Sequence, residues 1–144
     1  MRTMRWTPLL MLGMLIGLCG CGDSGGGIAV RGKVTFDGKP VEDGVILFIP
    51  EGASNSGADS YRPKVGTQIL NGEYAMEADR GPQTGTYQVS ITWEQKTGRK
   101  IPSGDLIPKE ETKQILPERY NTKTTLKATI SLSDNVHNFD LKSK

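Results

Sequence analysis

The chain has 144 residues, a length typical of one domain, and its 35% hydrophobic and 6% aromatic content limits it to a modest core. The formal net charge of +2 falls to zero once residues 1–20 are removed, because Arg2 and Arg5 leave and no acidic residue does. The sequence has no basic patch interleaved with aromatic side chains, which argues against a nucleic-acid partner.

Residues 1–20 have the composition of a secretory signal. Arg2 and Arg5 form a positive N-terminal region, and an apolar run of ten residues follows from Leu9 to Leu18. A helix needs about 20 apolar residues to span the bilayer core, so this run is too short for that purpose. We therefore expect residues 1–20 to be a signal peptide.

The end of the apolar run resembles the bacterial lipoprotein signal, in which an aliphatic and a small residue precede an invariant cysteine. Leu18 and Gly20 match the positions three and one before Cys21, whereas Cys19 departs from the usual residue between them. The resemblance implies diacylglycerol on Cys21, cleavage before it, and acylation of the new amino group by a fatty acid such as palmitate. Since Gly22 and not aspartate follows the cysteine, it also favours the outer over the inner membrane.

Two alternatives remain open for the cysteines. Cys19 and Cys21 could form a Cys-x-Cys metal or redox pair, although no histidine lies near them in the sequence. Lipidation could occur at Cys19 instead, but the bulky Leu18 precedes it where a small residue is preferred. On the main reading, residues 21–27 are the lipidated cysteine and a flexible Gly/Ser linker, and residues 28–144 form the folded domain.

The folded domain is predicted to open with two strands. Residues 28–36 alternate in character, and the Asp37-Gly38-Lys39-Pro40 sequence that follows has strong turn chemistry. Residues 45–49 are apolar at every position, which is typical of a central strand covered on both sides or of a strand with one edge under a loop. The link between the strands is longer than a tight hairpin needs, so it could carry the chain to the opposite sheet. Residues 51–63 are predicted to be a polar loop.

A type I′ hairpin is predicted at Asn71-Gly72, between strands at residues 64–70 and 73–78. A two-residue turn pairs Leu70 with Glu73. In that register, six side chains share the core face: Val65, Thr67, Ile69, Tyr74, Met76 and Ala78.

The strand predicted at residues 86–94 alternates cleanly, with its apolar side chains on one face: Tyr87, Val89, Ile91 and Trp93. Trp93 is a possible platform on which a sugar ring could stack. Its position on the apolar face nevertheless makes it a core or core-rim residue first.

The last third of the chain is predicted to hold a long loop and a closing hairpin. Residues 95–121 are charged and contain three prolines, which indicates a loop with a short strand or helical turn near Ile115. Residues 124–132 are predicted to pair with the final strand through a two-residue turn at Asp134-Asn135. This register places Ile130 opposite Phe139.

Seven strands at short spacing predict an all-β, immunoglobulin-like sandwich. Several fragments, taken in their order, resemble the carboxypeptidase regulatory-like domain, a transthyretin-like sandwich found in small bacterial lipoproteins. The fragments are Val30-x-Gly32-x-Val34, Asp37-Gly38-Lys39-Pro40-Val41, Gly44-Val45, Gly85-x-Tyr87-x-Val89, Pro117-x-x-Tyr120-Asn121, Asn135 and Phe139-Asp140-Leu141. The resemblance implies a seven-stranded, two-sheet sandwich and a role in folding, adhesion or assembly, or in binding carbohydrate or peptide. It supplies no catalytic set.

Few residues could carry catalysis. We expect no Ser-His-Asp or Cys-His arrangement, because His137 is the one histidine and the mature chain would have no free thiol. Its place at a hairpin end makes His137 a rim residue first. Two groups of carboxylates are candidates for a glycosidase pair or a Ca²⁺ site, and both are better explained by solvated-loop or turn chemistry. They are Asp105, Glu110 and Glu111, and Asp37, Glu42 and Asp43.

These observations predict a non-enzymatic lipoprotein of the cell envelope, anchored to a membrane through Cys21, whose sandwich is an interaction or structural module. We expect no cofactor and no metal. The alternative is a carbohydrate- or peptide-binding module that uses the loops at the sandwich ends. The expected partners are the membrane and an envelope protein or glycan.

Overall fold

A computed structural model describes residues 26–52, 62–102 and 108–144, so the predicted signal peptide, Cys21 and most of the predicted polar loop lie outside the described residues. The described chain is built from ten strands and a short 3₁₀ helix at Glu118–Tyr120. The strands are β1 (Val30–Phe36), β2 (Lys39–Pro40), β3 (Asp43–Pro50), β4 (Val65–Leu70), β5 (Glu73–Met76), β6 (Gly85–Thr92), β7 (Glu94–Ile101), β8 (Lys109–Gln114), β9 (Lys127–Ile130) and β10 (Phe139–Leu141).

Seven strands follow one another across a curled sheet in the order β10-β1-β5-β4-β3-β6-β9, and β2 pairs with β1 beside this path. All neighbours are antiparallel except β1 and β10, which run parallel. Strands β7 and β8 form a separate two-stranded sheet, called the ribbon below. The all-β, sandwich-like fold is confirmed, and the seven strands of the main path are those predicted.

The concave side of the curled sheet holds the core. The ring of Phe48 lies 6.2 Å from that of Tyr74 and 6.3 Å from that of Tyr87, so it joins β3 to β5 and β6. Each such fully buried side chain contributes roughly 1.5–3 kcal/mol relative to an exposed one. The predicted alternation is confirmed in the buried residues of β1 and β6: Val30, Val34, Tyr87, Val89 and Ile91.

Strand β3 is central, as its apolar run predicts, because it pairs with β4 on one edge and β6 on the other. Ile46 and Phe48 are fully buried on the concave side. The convex side is less covered than expected, since Val45 is 45% exposed. The apolar run therefore identified the central position correctly, but within the described residues only one face of the strand is buried.

Two tight turns have positive φ at both central residues, which confirms the type I′ prediction at Asn71-Gly72 and adds the turn type at Asp37-Gly38, where a turn of no stated type was predicted. Asp37 and Gly38 have φ values of 49° and 78°, and Asn71 and Gly72 have 52° and 79°, as type I′ turns require. The first turn makes a short β1–β2 hairpin in which Phe36 pairs with Lys39. The expectation of a long link to the opposite sheet is therefore wrong, and β1 and β3 lie on one continuous path separated by β5 and β4.

The predicted β4–β5 register is confirmed at the turn, where Leu70 pairs with Glu73. Ile69, Tyr74 and Met76 are buried as expected. Beyond the turn β5 pairs along its other edge with β1, from Lys33↔Glu73 to Val30↔Met76, and it ends before Ala78, which is exposed rather than in the core.

The predicted hairpin between the last two strands is wrong. Strand β9 pairs with β6, and β10 crosses to pair parallel with β1. The reason lies in the Asn135 side chain, which accepts the N–H of Ser131 at 2.9 Å and donates to the carbonyl of Ser131 at 2.7 Å. This closes a wider turn than the two-residue one predicted, and it leaves Leu132 91% exposed.

The segment predicted to be one long loop, residues 95–121, is also different. Its first part forms the ribbon with Glu94 paired to Gln114, and a 3₁₀ turn follows near the predicted Ile115 position. Every residue of β7 is exposed, so the ribbon has no buried face that an alternating pattern could reveal.

The two type I′ turns offer a matched test of backbone strain against steric fit. A Cβ at Gly72 would lie 2.5 Å from the Cβ of Pro40, whereas a Cβ at Gly38 would meet nothing within 4 Å. Both positions have nearly the same positive φ. We expect Gly38→Ala to lower the free energy of unfolding by about 1 kcal/mol and Gly72→Ala by roughly 2–4 kcal/mol. Urea titration measures both, and equal losses would contradict the packing of the second turn against β2.

Candidate functional site

The segment before β10, residues 135–138, lies along the free edge of β1 and is called the strap. Arg31 donates its N–H to the carbonyl of Asn135 at 3.1 Å, and His137 donates its N–H to the carbonyl of Arg31 at 2.9 Å. These bonds begin a parallel ladder that β10 continues from Val34↔Phe139. The strap therefore extends the pairing of β1 toward its N-terminal end.

Gly32 allows the strap to approach β1 closely. The carbonyl oxygen of His137 turns beneath Gly32, where an added Cβ would lie 1.8 Å from it. The Tyr74 hydroxyl donates to this oxygen at 2.8 Å, and the Asn138 side chain accepts the N–H of Lys33 at 2.8 Å. In a regular ladder the N–H of Lys33 would bond to the carbonyl of His137. Here the Tyr74 hydroxyl bonds to that carbonyl instead, and the Asn138 side chain accepts the Lys33 N–H.

Burial raises the pKa of Tyr74 well above its ordinary value. The hydroxyl consequently remains protonated and acts as a donor to the His137 carbonyl throughout the physiological range. Its role in the described structure is to hold the strap through this hydrogen bond.

A surface groove of about 670 Å³ opens beside the strap. Its lining comes from the convex faces of β1, β4 and β5 and from the strap itself: Arg31, Lys33, Gln68, Leu70, Glu73 and Val136. Leu70 and Val136 are 56% and 43% exposed, and Lys33 and Glu73 form an ion pair at 3.1 Å. The volume is within the range of small-ligand sites, and the lining can offer apolar contact and hydrogen bonds.

His137, predicted to be a rim residue, belongs to the strap. Its Nε2 atom is buried and has no hydrogen-bond partner among the described residues. Burial lowers the pKa of the imidazole, so the neutral form predominates at pH 7. The arrangement gives His137 a structural position rather than that of a poised acid or base.

The candidate carboxylates have structural partners or remain dispersed. Asp37 accepts the N–H of Ser143 at 3.0 Å, and this bond lowers the pKa of Asp37. Glu42 and Asp43 are exposed, and no three His, Cys, Asp or Glu side chains of the described ranges come together as metal ligands. In the ribbon, Glu110 pairs with Lys96 at 3.0 Å and Glu111 with Arg99 at 3.9 Å, while Asp105 lies outside the described residues.

Trp93 lies at the rim of the core, where β6 passes into the ribbon. Its ring packs edge-on against Phe36, with centroids 6.3 Å apart and planes at 80°. The side-chain oxygen of Gln114 accepts the N–H of Trp93 at 2.9 Å, and the Trp93 carbonyl accepts the N–H of Ile115 at 2.8 Å. Both the ring and the backbone of Trp93 are therefore occupied in joining the ribbon to the sandwich.

Two features of this region differ in how clearly the sequence signals them. Gln114 also accepts the N–H groups of Ile115 and Leu116, at 3.0 and 3.2 Å, so one side chain organises the base of the ribbon. Nothing in its local sequence indicates this role. Gly32, by contrast, interrupts an alternating strand, and an interior glycine of that kind often marks a close backbone approach.

Substitutions at Trp93 distinguish a role of its ring in core packing from a role as a platform for a stacked ligand. Because the ring packs on Phe36 and the core, we expect Trp93→Ala to lower the free energy of unfolding by about 2 kcal/mol. Trp93→Phe keeps most of the edge-on contact and should lose less than half as much. Chemical denaturation measures both variants; a stable Trp93→Ala chain that no longer binds a glycan would instead favour a stacking platform.

His137 should make stability depend on pH near neutrality. Its pKa in the folded state is lower than in the unfolded state, so as pH falls the unfolded chain takes up the proton first. The free energy of unfolding is therefore highest above about pH 7 and decreases as pH falls through about 6.5. His137→Gln should flatten this part of the curve. A slope that persists in the variant would assign it to another group, whereas Asp37 and Asp140 act only at more acidic pH.

The described residues thus contain a strap, a groove and a ribbon, and none of them brings the candidate carboxylates, His137 and Trp93 into one site. In the described part of the chain, no helix is both long and apolar enough to cross a bilayer. Comparison with family models, with curated proteins and with solved structures finds no match for this chain.

Proposed function

We propose that this protein is a non-enzymatic lipoprotein of the cell envelope, anchored through acyl chains on Cys21, whose sandwich of the carboxypeptidase regulatory-like kind is an interaction or structural module. The observation that carries the proposal is Leu18-Cys19-Gly20-Cys21 at the end of a ten-residue apolar run, directly before a glycine-rich segment and a folded domain. Several acyl chains on one cysteine give stable membrane attachment. The glycine after Cys21 favours the outer membrane as the destination.

The start of the folded domain is consistent with a short tether. Ile28 donates its N–H to the carbonyl of Pro82 at 2.7 Å, and Gly27 lies so close to Gly81 that an added Cβ would be 1.9 Å from its oxygen. Gly27 follows Cys21 by six residues, and a stretch of that length spans at most roughly 20 Å when extended. A lipid on Cys21 would keep this end of the sandwich near the membrane surface.

The same geometry supports an interaction role for the opposite end. Pro82 lies just before β6 begins at Gly85, whereas the ribbon begins directly after β6 ends at Thr92. A strand of eight residues is about 26 Å long, so the tethered end and the ribbon are separated by the length of the sandwich. In an anchored molecule the ribbon would project away from the membrane.

A carbohydrate- or peptide-binding role is the second candidate. The observation that favours it is the groove beside the strap, with two exposed apolar side chains and a paired lysine and glutamate in its lining. The predicted platform Trp93 does not line this groove. Saturable binding of a glycan or peptide that is lost in Leu70→Ser and retained in Trp93→Phe would support this second role.

The anchor can be tested directly. Cys21→Ser removes the proposed acceptor thiol, so incorporation of radiolabelled palmitate should fall to background and the chain should leave the membrane fraction. Cys19→Ser is the matched control, because it changes the neighbouring thiol and leaves Cys21 intact. Label that persists in Cys21→Ser and disappears in Cys19→Ser would place the lipid on Cys19 and refute the assignment.

A further inference from the structure

The ribbon leaves two strand edges, one on β7 and one on β8, without a partner among the described residues. Strands β7 and β8 form a two-stranded sheet, and within the described residues no third strand pairs with either. The edge of β7 is interrupted, since three residues around Gly98, whose φ is 77°, oppose a single residue of β8. Such a bulge disrupts pairing with a further strand. The edge of β8 runs without interruption from Lys109 to Gln114.

The hydrogen-bond alternation shows which groups of β8 point outward. Ile115 donates its N–H to the carbonyl of Trp93, so this pair is a hydrogen-bonded one, and Glu94↔Gln114 next to it is not. Alternation then makes Lys96↔Thr112 a non-hydrogen-bonded pair as well. The N–H and C=O groups of Glu110, Thr112 and Gln114 therefore point away from β7, toward solvent.

We infer that β8 pairs antiparallel with β8 of a second copy of this chain, about a twofold axis at Thr112, to form a continuous four-stranded sheet of two ribbons. In this register Thr112 faces Thr112 of the second copy in a hydrogen-bonded pair, and Glu110 faces Gln114. The outward backbone groups of all three residues then find partners. A second copy of the chain is then the partner of the proposed interaction module. The pairing itself does not require the lipid anchor.

Charge selects this register among the twofold ones. Glu111 lies opposite Lys113 of the second copy, and the symmetry repeats the pair, so two close cross-strand ion pairs form. A shift of the axis to Glu111 would place two glutamates opposite each other, and a shift to Lys113 would do the same with two lysines. Opposite charges stabilise and like charges destabilise such directly facing pairs. A general partner strand would lack this pattern, and the charged edge would disfavour it.

The two side chains are available for these contacts. Lys113 has no carboxylate partner among the described residues. Glu111 is already oriented by the Thr97 hydroxyl, which donates to its carboxylate at 2.8 Å, and by Arg99 at 3.9 Å. A carboxylate can accept several hydrogen bonds, so the lysine of the second copy adds to this arrangement without replacing it.

The position of the ribbon favours pairing between anchored molecules. If the proposed anchor holds, all copies present their ribbons at a similar height from one membrane, and confinement to a surface raises the effective concentration. The rise in effective concentration rests on the proposed function. The register and the charges of β8 do not depend on it, so the two proposals can fail independently.

Cysteine cross-linking of the full chain, purified in detergent, tests the register. The Cα atoms of a hydrogen-bonded antiparallel pair are about 5.5 Å apart, within the range that a disulfide bridges. Thr112→Cys should give a disulfide dimer on mild oxidation. Thr129→Cys is the matched control, because Thr129 is an exposed threonine on the convex side of β9, away from the ribbon. The parent chain measures any background from Cys19 and Cys21.

Charge exchange then tests the cross-strand pairs in the Thr112→Cys chain. Glu111→Lys or Lys113→Glu alone places like charges opposite each other and should reduce the dimer roughly tenfold. The double exchange restores opposite charges across the axis and should recover the dimer, although it leaves Arg99 facing a lysine within the ribbon. Recovery therefore distinguishes pairing between copies from collapse of the ribbon.

Three results would overturn the inference: no cross-link above the Thr129→Cys control, equal cross-linking at Lys96→Cys on the β7 edge, or a dimer insensitive to the charge exchanges. A chain that is unlabelled by palmitate but still cross-links through Thr112→Cys would refute the anchor and leave the pairing intact. A chain that is labelled by palmitate but fails to cross-link would refute the pairing and leave the anchor intact.

Discussion

The described fold depends on β1 having hydrogen-bonded partners along both of its edges. One edge pairs with β5 and β2, and the other pairs with the strap and β10. The second edge can be used in this way because Gly32 leaves room for the His137 carbonyl beneath the strand. This contact joins residues 105 positions apart, as in the bond from Lys33 to Asn138, so it ties the two ends of the domain together.

The consequences of that contact reach the core. Tyr74 is buried in the core and donates its hydroxyl to the strap, so a core residue of β5 also holds the final segment of the chain. Parallel pairing of β10 then buries Phe139 and Leu141 against the inner face. An unpaired buried carbonyl costs about 1–3 kcal/mol, which is why Tyr74 matters at a position where the regular ladder fails.

The proposed lipid anchor and the proposed contact with a second copy lie at opposite ends of the sandwich. Ile28 is bonded to Pro82, close to where an acyl chain on Cys21 would hold the domain, and the ribbon leaves beyond β6 at the far end. The core side chains of the sandwich between them are buried and packed against one another. A packed domain of this kind can set the distance between a membrane and a contact with a second copy. Setting that distance is what the proposed structural role would consist of.

The sequence by itself determined the local and periodic features of this protein. The turn at Asp37-Gly38, the type I′ turn at Asn71-Gly72, the alternation of β1 and β6 and the central position of β3 follow from residue types over a few positions, because φ preference and side-chain period are local properties. The sandwich-like class follows from their number and spacing. Tertiary structure alone decided which strands pair: Asn135 closes a wide turn, the space at Gly32 admits the strap, and β10 therefore joins β1 rather than β9. It also decided that a charged segment without a buried face forms the ribbon, since hydrogen bonding between two exposed strands leaves no hydrophobic period in the sequence.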